Sequence, residues 1–153
     1  MLRVAPLILA ALLLAPSPAS AATPADGRFS GPTSQTTKPA TMAFDIARDG
    51  RVVNAIRFPS VARCGEKTKL RITTAVRGPV RLVVGPEIKL RGALSGVLTN
   101  GSTYRARFRM SGRFPTANSA RGAWGLYAVV RNRNGRVTAR CRTGTVSWRA
   151  ARL

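Results

Sequence analysis

Apolar and polar residues alternate along most of this chain, with the period of two that belongs to a half-buried strand. The pattern is cleanest in the C-terminal third. Tyr104, Ala106, Phe108 and Met110 share one face, while Arg105, Arg107 and Arg109 share the other. After a stretch rich in turn formers at 115–122 (PTANSARG), Trp124, Leu126, Ala128 and Val130 make a second apolar face. Asn134-Gly135 predicts a two-residue hairpin turn, because glycine tolerates the positive φ required there. That turn sets a register in which Ala128 faces Cys141 and Val130 faces Ala139. On the outward side Tyr127 faces Arg142, Val129 faces Arg140 and Arg133 faces Arg136. Beyond Thr143-Gly144 the parity changes, since Val146, Trp148 and Ala150 are out of step with it. That change implies a bulge or a turn.

The N-terminal half reads as strands too. Met42–Ile46 alternates, Arg48-Asp49-Gly50 predicts a turn, and Arg51–Phe58 returns, with Pro59 expected to end the strand. Lys67–Thr74 alternates again, and Val80–Val84 is short and apolar. Residues 85–102, punctuated by glycines, suggest short strands and turns. No segment has a convincing helical period. Seven to ten short strands predict an all-β, antiparallel two-sheet sandwich, immunoglobulin-like or jelly-roll, with a closed barrel as the alternative.

The first twenty-two residues break this pattern. Arg3 is followed by an apolar run, Val4–Ala15, that is too short to span a bilayer. Pro16 and Pro18 interrupt it, and Ala19-Ser20-Ala21 is a small-x-small cleavage signal. This is the pattern of a secretory signal peptide, cut after Ala21 or Ala22. The expected organisation is a leader at 1–22, a flexible start at 23–27 and one β-sandwich domain at 28–153. The expected location is extracellular or cell-envelope associated, with no transmembrane segment in the mature chain.

Export changes the reading of the two cysteines. In an oxidising compartment Cys64 and Cys141 are expected to form one disulfide. The alternative is a catalytic thiolate, but there is no histidine to serve it. The absence of histidine also removes Ser-His-Asp catalysis and histidine metal sites. With both cysteines bridged, no zinc site is expected, and the scarce acids do not cluster as calcium needs. No cofactor is implied.

Charge supplies the remaining candidate. Lysine and arginine number 26 against 5 acidic residues, a formal charge of +21. Losing Arg3 with the leader lowers that to about +20, far enough from zero to attract anionic polymers or surfaces. Arg105, Arg107, Arg109, Arg113, Arg140 and Arg142, with Tyr127 among them, are the candidate anion-binding residues. Guanidinium forks suit phosphate or carboxylate groups. Thr33, Ser34 and Gln35 form a polar run whose default role is strand pairing or a local turn bond. Trp124 and Trp148 are expected in the core near the disulfide.

Two segments carry a resemblance. Gly31-Pro-Thr33-Ser34-Gln35 opens the first strand. Cys141-Arg-Thr143-Gly144-Thr-Val146-Ser-Trp148-Arg-Ala150 closes the last. With Phe44, Asp49-Gly50-Arg51-Val52 and Cys64 between them, they resemble a group of small secreted actinobacterial proteins. That resemblance implies a β-sandwich and an extracellular address, and brings no catalytic residues.

The expectation is therefore a secreted, non-enzymatic β domain that binds anionic envelope or extracellular polymers through an arginine-rich sheet face. One alternative is a secreted hydrolase using Asp45 or Glu66. Asp45 and Asp49, on one hairpin, are the only close carboxylate pair in sequence, and Asp49 is a turn residue. The other alternative is a cationic membrane-active protein, although no long amphipathic helix is present.

Overall fold

A computed structural model describes residues 21–35, 41–76, 80–81 and 87–153. The expected leader lies outside these, apart from Ala21 and Ala22. Ten strands form: β1 (Gly27–Pro32), β2 (Thr41–Ala47), β3 (Val52–Arg63), β4 (Lys69–Val76), β5 (Val80–Arg81), β6 (Glu87–Val97), β7 (Thr103–Thr116), β8 (Ser119–Arg131), β9 (Val137–Arg142) and β10 (Val146–Arg152). All their pairings are antiparallel. The fold is all-β, as the alternation predicts.

Hydrogen bonding follows the order β10-β1-β2-β3-β9-β8-β7-β6, with β4 and β5 along the other edge of β3. One layer is β1 to β5 and the other is β6 to β10. Their inward faces meet in an aromatic core. Phe29 and Phe44 stack at 5.3 Å, Phe114 and Trp148 close on them edge-on, and Phe58 lies 5.0 Å from Trp124. β10 also pairs with β8, so the hydrogen-bonded path returns on itself. The sandwich thus has a stitched margin, and part of the closure expected of a barrel is present.

The parity change near Thr143 is a bulge. β9 and β10 lie end to end along the same edge of β8: Ala128 pairs with Cys141, and Trp124 with Val146. One extra residue enters between them, so the pleat resumes with opposite parity. Gly144 takes φ 68°, and Leu126 both accepts from Thr143 N–H and donates to Thr143 Oγ1. The bulge also lets one strand serve two partners, because β9 meets β3 and β10 meets β1.

The β8–β9 hairpin is built differently from the expected two-residue turn. Asn132 N–H donates to the Arg136 carbonyl, leaving a three-residue loop, Arg133–Gly135, with Gly135 at φ 77°. Arg133 therefore does not face Arg136. A register shift between Val130 and Arg131 then absorbs Thr138, and the predicted pairs Tyr127–Arg142, Ala128–Cys141, Val129–Arg140 and Val130–Ala139 form. The loop and the bulge offset each other.

Three further boundaries differ. β3 runs through Pro59, which faces Thr73 of β4. Val61, of the same parity, turns its N–H to the opposite edge, where Gln35 receives it. The N–H that proline lacks would point to that edge, where the described β2–β3 ladder ends at Ala43–Arg57, so no ladder bond among the described residues is lost. Residues 87–97 form one strand rather than several, since Gly92 and Gly96 are covered by the rings of Phe108 and Tyr104. The 115–122 loop shrinks to Ala117-Asn118, between the paired residues Thr116 and Ser119. By contrast, Asp49 and Gly50 both take positive φ, as the Asp-Gly turn requires.

Residues 22–27 are tied down. Ala22 N–H donates to the Phe114 carbonyl and Ala25 N–H to that of Ala117. The Asp26 carboxylate accepts from the N–H groups of Asp49 and Gly50 at the β2–β3 turn.

Candidate functional site

The disulfide joins Cys64 to Cys141, with Cα atoms 4.1 Å apart. It sits beside the one ladder contact between β3 and β9, where Arg63 pairs with Arg142. The bridge lies on the inward side and Cys141 is fully buried, so the two arginines are presented outward, opposite one another. Trp124 and Trp148 are buried, but Trp148 pairs at Gly122, the other end of β8 from the disulfide. Its indole packs over Gly112 and Gly122, where a Cβ would meet the ring at 2.5 and 2.7 Å. The expected placement of Trp148 beside the bridge is therefore corrected: the paired glycines make its seat.

The outward positions of β7 are exposed at Arg105, Arg107, Arg109 and Arg113, and those of β9 at Arg140 and Arg142. Alternate residues on a strand are about 6.8 Å apart, and neighbouring strands about 4.8 Å. The pairings therefore lay out rows across the sheet. In one, Arg107 faces Tyr127, Tyr127 faces Arg142, Arg142 faces Arg63 and Arg63 faces Lys69. This row crosses from one layer into the other without a break. In a second, Arg91 faces Arg109; in a third, Arg113 faces Arg121 and Arg121 faces Arg149. Tyr127 is 42% exposed within the first row.

The residues missed from sequence are Arg63, Lys69, Arg91, Arg121 and Arg149. For Arg63 the signal was present. Once Cys64 pairs with Cys141 across an antiparallel ladder, the residue before one must face the residue after the other.

Acids do little to offset this face. The one ion pair among the described residues is Lys89–Glu87 at 2.7 Å, on the outward side of β6. The hydrogen bond and charge of Lys89, helped by Arg113, hold the Glu87 carboxyl below its ordinary range. Asp45 pairs across its ladders with Arg28 and Asn54, Asp49 occupies the turn, and Glu66 lies in the loop between β3 and β4. No group of three or more potential metal-ligating residues occurs among the described residues.

The polar run at Thr33–Gln35 is used in stitching. Ser34 exchanges bonds with Ser147, its N–H donating to the carbonyl and its Oγ accepting from the N–H. The Gln35 amide accepts from Val61 N–H and donates to the Val61 carbonyl, each at 3.1 Å, in the manner of a strand residue.

Comparison with protein-family models, curated proteins and solved structures finds no match. No helix among the described residues is long and apolar enough to cross a membrane, a finding that leaves strand-built spans aside.

Proposed function

We infer that this is a secreted, non-enzymatic module that binds anionic polymers of the cell envelope or its surroundings through the outward face of β6–β9. One observation carries the reading. Five like-charged pairs stand directly opposed on that face and its continuation: Arg91–Arg109, Arg113–Arg121, Arg121–Arg149, Arg142–Arg63 and Arg63–Lys69. Each such pair destabilises a sheet by a few tenths of a kcal/mol. A polyanion laid across the face removes that repulsion and gains charge-assisted hydrogen bonds. The disulfide and the leader-like N-terminus both support an oxidising, exported setting.

The test is a salt titration of binding to teichoic acid, an acidic polysaccharide, nucleic acid and anionic lipid. Affinity for at least one polyanion is expected to fall steeply as salt rises, and that ligand is expected to raise the melting temperature. Equally weak, salt-independent retention on all four sinks the reading.

A further inference from the structure

The outward face is grooved. Three hollows, of about 770, 610 and 540 Å³, follow one another along β7 and β8. Neighbouring hollows share lining: Lys89, Ser111 and Ala123 in the first two, Arg91, Arg109 and Gly125 in the second and third. Together they make a trough. Its floor is small, with Ser111, Ala123, Gly125 and Ser147 at outward positions, while longer cationic side chains stand along it.

Three features say what lies there. The trough is long and shallow, which suits an extended chain more than a compact ligand. Its cations stand at alternate residues in two runs, Lys89 with Arg91 and Arg107 with Arg109, about 6.8 Å apart in each. Two peptide residues contribute six backbone bonds to that length, and any linear polymer with six bonds per repeat spans roughly the same. A phosphodiester chain with a three-carbon spacer has that count, as does a nucleic-acid backbone. Finally, arginines oppose one another across strands, as Arg91 does Arg109. One guanidinium fork takes both coplanar oxygens of a carboxylate. A tetrahedral phosphate turns its oxygens in different directions and engages a guanidinium on each side.

Aromatic content separates the two phosphodiester candidates. Single-stranded nucleic acid is held by stacking successive bases on aromatic platforms. Tyr127 is the one aromatic residue exposed on this face. We propose that the trough along β7 and β8 binds a single extended, base-free phosphodiester chain of the polyol-phosphate type. This rests on the polyanion reading above and names its ligand class.

The experiment compares poly(glycerol phosphate), polygalacturonate and oligodeoxythymidine, by calorimetry of the disulfide-bonded protein at one fixed salt concentration. Poly(glycerol phosphate) is expected to bind at least about ten-fold tighter than the other two. Arg91→Gln with Arg109→Gln is expected to cost about ten-fold and to flatten the salt dependence by roughly 0.7 per arginine. Arg48→Gln with Arg51→Gln removes the same charge at the β2–β3 turn and should change affinity less than about two-fold. Polygalacturonate binding as tightly, or oligodeoxythymidine binding more tightly, would overturn the ligand class and leave the polyanion reading standing, whereas equal losses in both variants would overturn the trough as the site. Salt-sensitive binding to none of the three would overturn both.

Discussion

β2 and β7 are built on the same alternation and present opposite chemistry to solvent. Inward, β2 supplies Met42, Phe44 and Ile46, and β7 supplies Ala106, Phe108 and Met110, all buried in one core. Outward, β2 shows Thr41, Ala43, Asp45 and Ala47, whereas β7 shows Arg105, Arg107, Arg109 and Arg113. The core asks the same of both strands, so folding does not account for the difference. The like charges left directly opposed across β6 to β10 and into β3, at a cost to the sheet, are what favour a ligand over a merely solvated surface.

The comparison breaks most sharply at the disulfide. Cys64→Ser with Cys141→Ser is expected to cost about 2–4 kcal/mol in urea unfolding, given a sequence separation of 77 residues. It also releases Arg63 from Arg142, so polyanion affinity falls with stability. Unchanged unfolding would mean that the β3–β9 corner holds without its bridge. Next comes rewriting β7 in the idiom of β2. Arg105→Thr, Arg107→Ala and Arg109→Ala together should lower polyanion affinity by at least about ten-fold. The urea midpoint should stay level or rise slightly, because the Arg91–Arg109 repulsion is gone. A stability loss above about 1 kcal/mol would assign these arginines to the fold instead.

Smaller effects sharpen the contrast. Thr74, inward on β4, buries a hydroxyl that has no hydrogen-bond partner among the described residues. Thr74→Val should stabilise the N-terminal layer by about 1 kcal/mol and leave binding untouched, which calorimetric melting with a binding assay checks. The smallest effect belongs to Glu87, the one acid lining the trough. Glu87→Gln should strengthen polyanion binding about two-fold at low salt. Because the folded-state pKa is depressed, the Glu87–Lys89 contribution to stability is present above the ordinary carboxylate pKa and lost as pH falls through the lowered one. In the unmodified protein the gain in binding should therefore appear only in that acid window, and an affinity titration against pH would show it.

Much of the fold was legible because burial on one side of a strand writes itself into parity. The inward faces of β7 and β8 and the strand class follow from that rule, while the Asp49-Gly50 turn follows from its tolerance of positive φ and the cysteine pair from the exported setting. What stayed hidden depends on which edge of a strand has a neighbour. Pro59 reads as a terminator until the described β2–β3 ladder is seen to end before it, at Ala43–Arg57. Gly92 and Gly96 read as breaks until rings from β7 fill their places. The cationic face was legible along β7 and β9, where a single strand or hairpin carries it. Arg91 and Arg121 join it through hairpins whose register the glycine-rich and turn-rich stretches did not set, and Arg149 through a ladder to Arg121 between non-consecutive strands, which periodicity cannot report.

The bulge at Thr143–Thr145 behaves like a shift of reading frame. Upstream of it odd-numbered Cys141 is inward; downstream even-numbered Val146, Trp148 and Ala150 are. Deleting Gly144 would merge the two frames: Val146 would stand four positions after Cys141 on a continuous pleat, still inward and opposite Trp124, and Trp148 would keep its seat at Gly122. Loss of the one residue between Val146 and Trp148, by contrast, turns every later side chain over, expelling Trp148 from the core and drawing Arg149 into it, so descendants of this chain can shed the bulge but should keep the spacing from Val146 to Trp148.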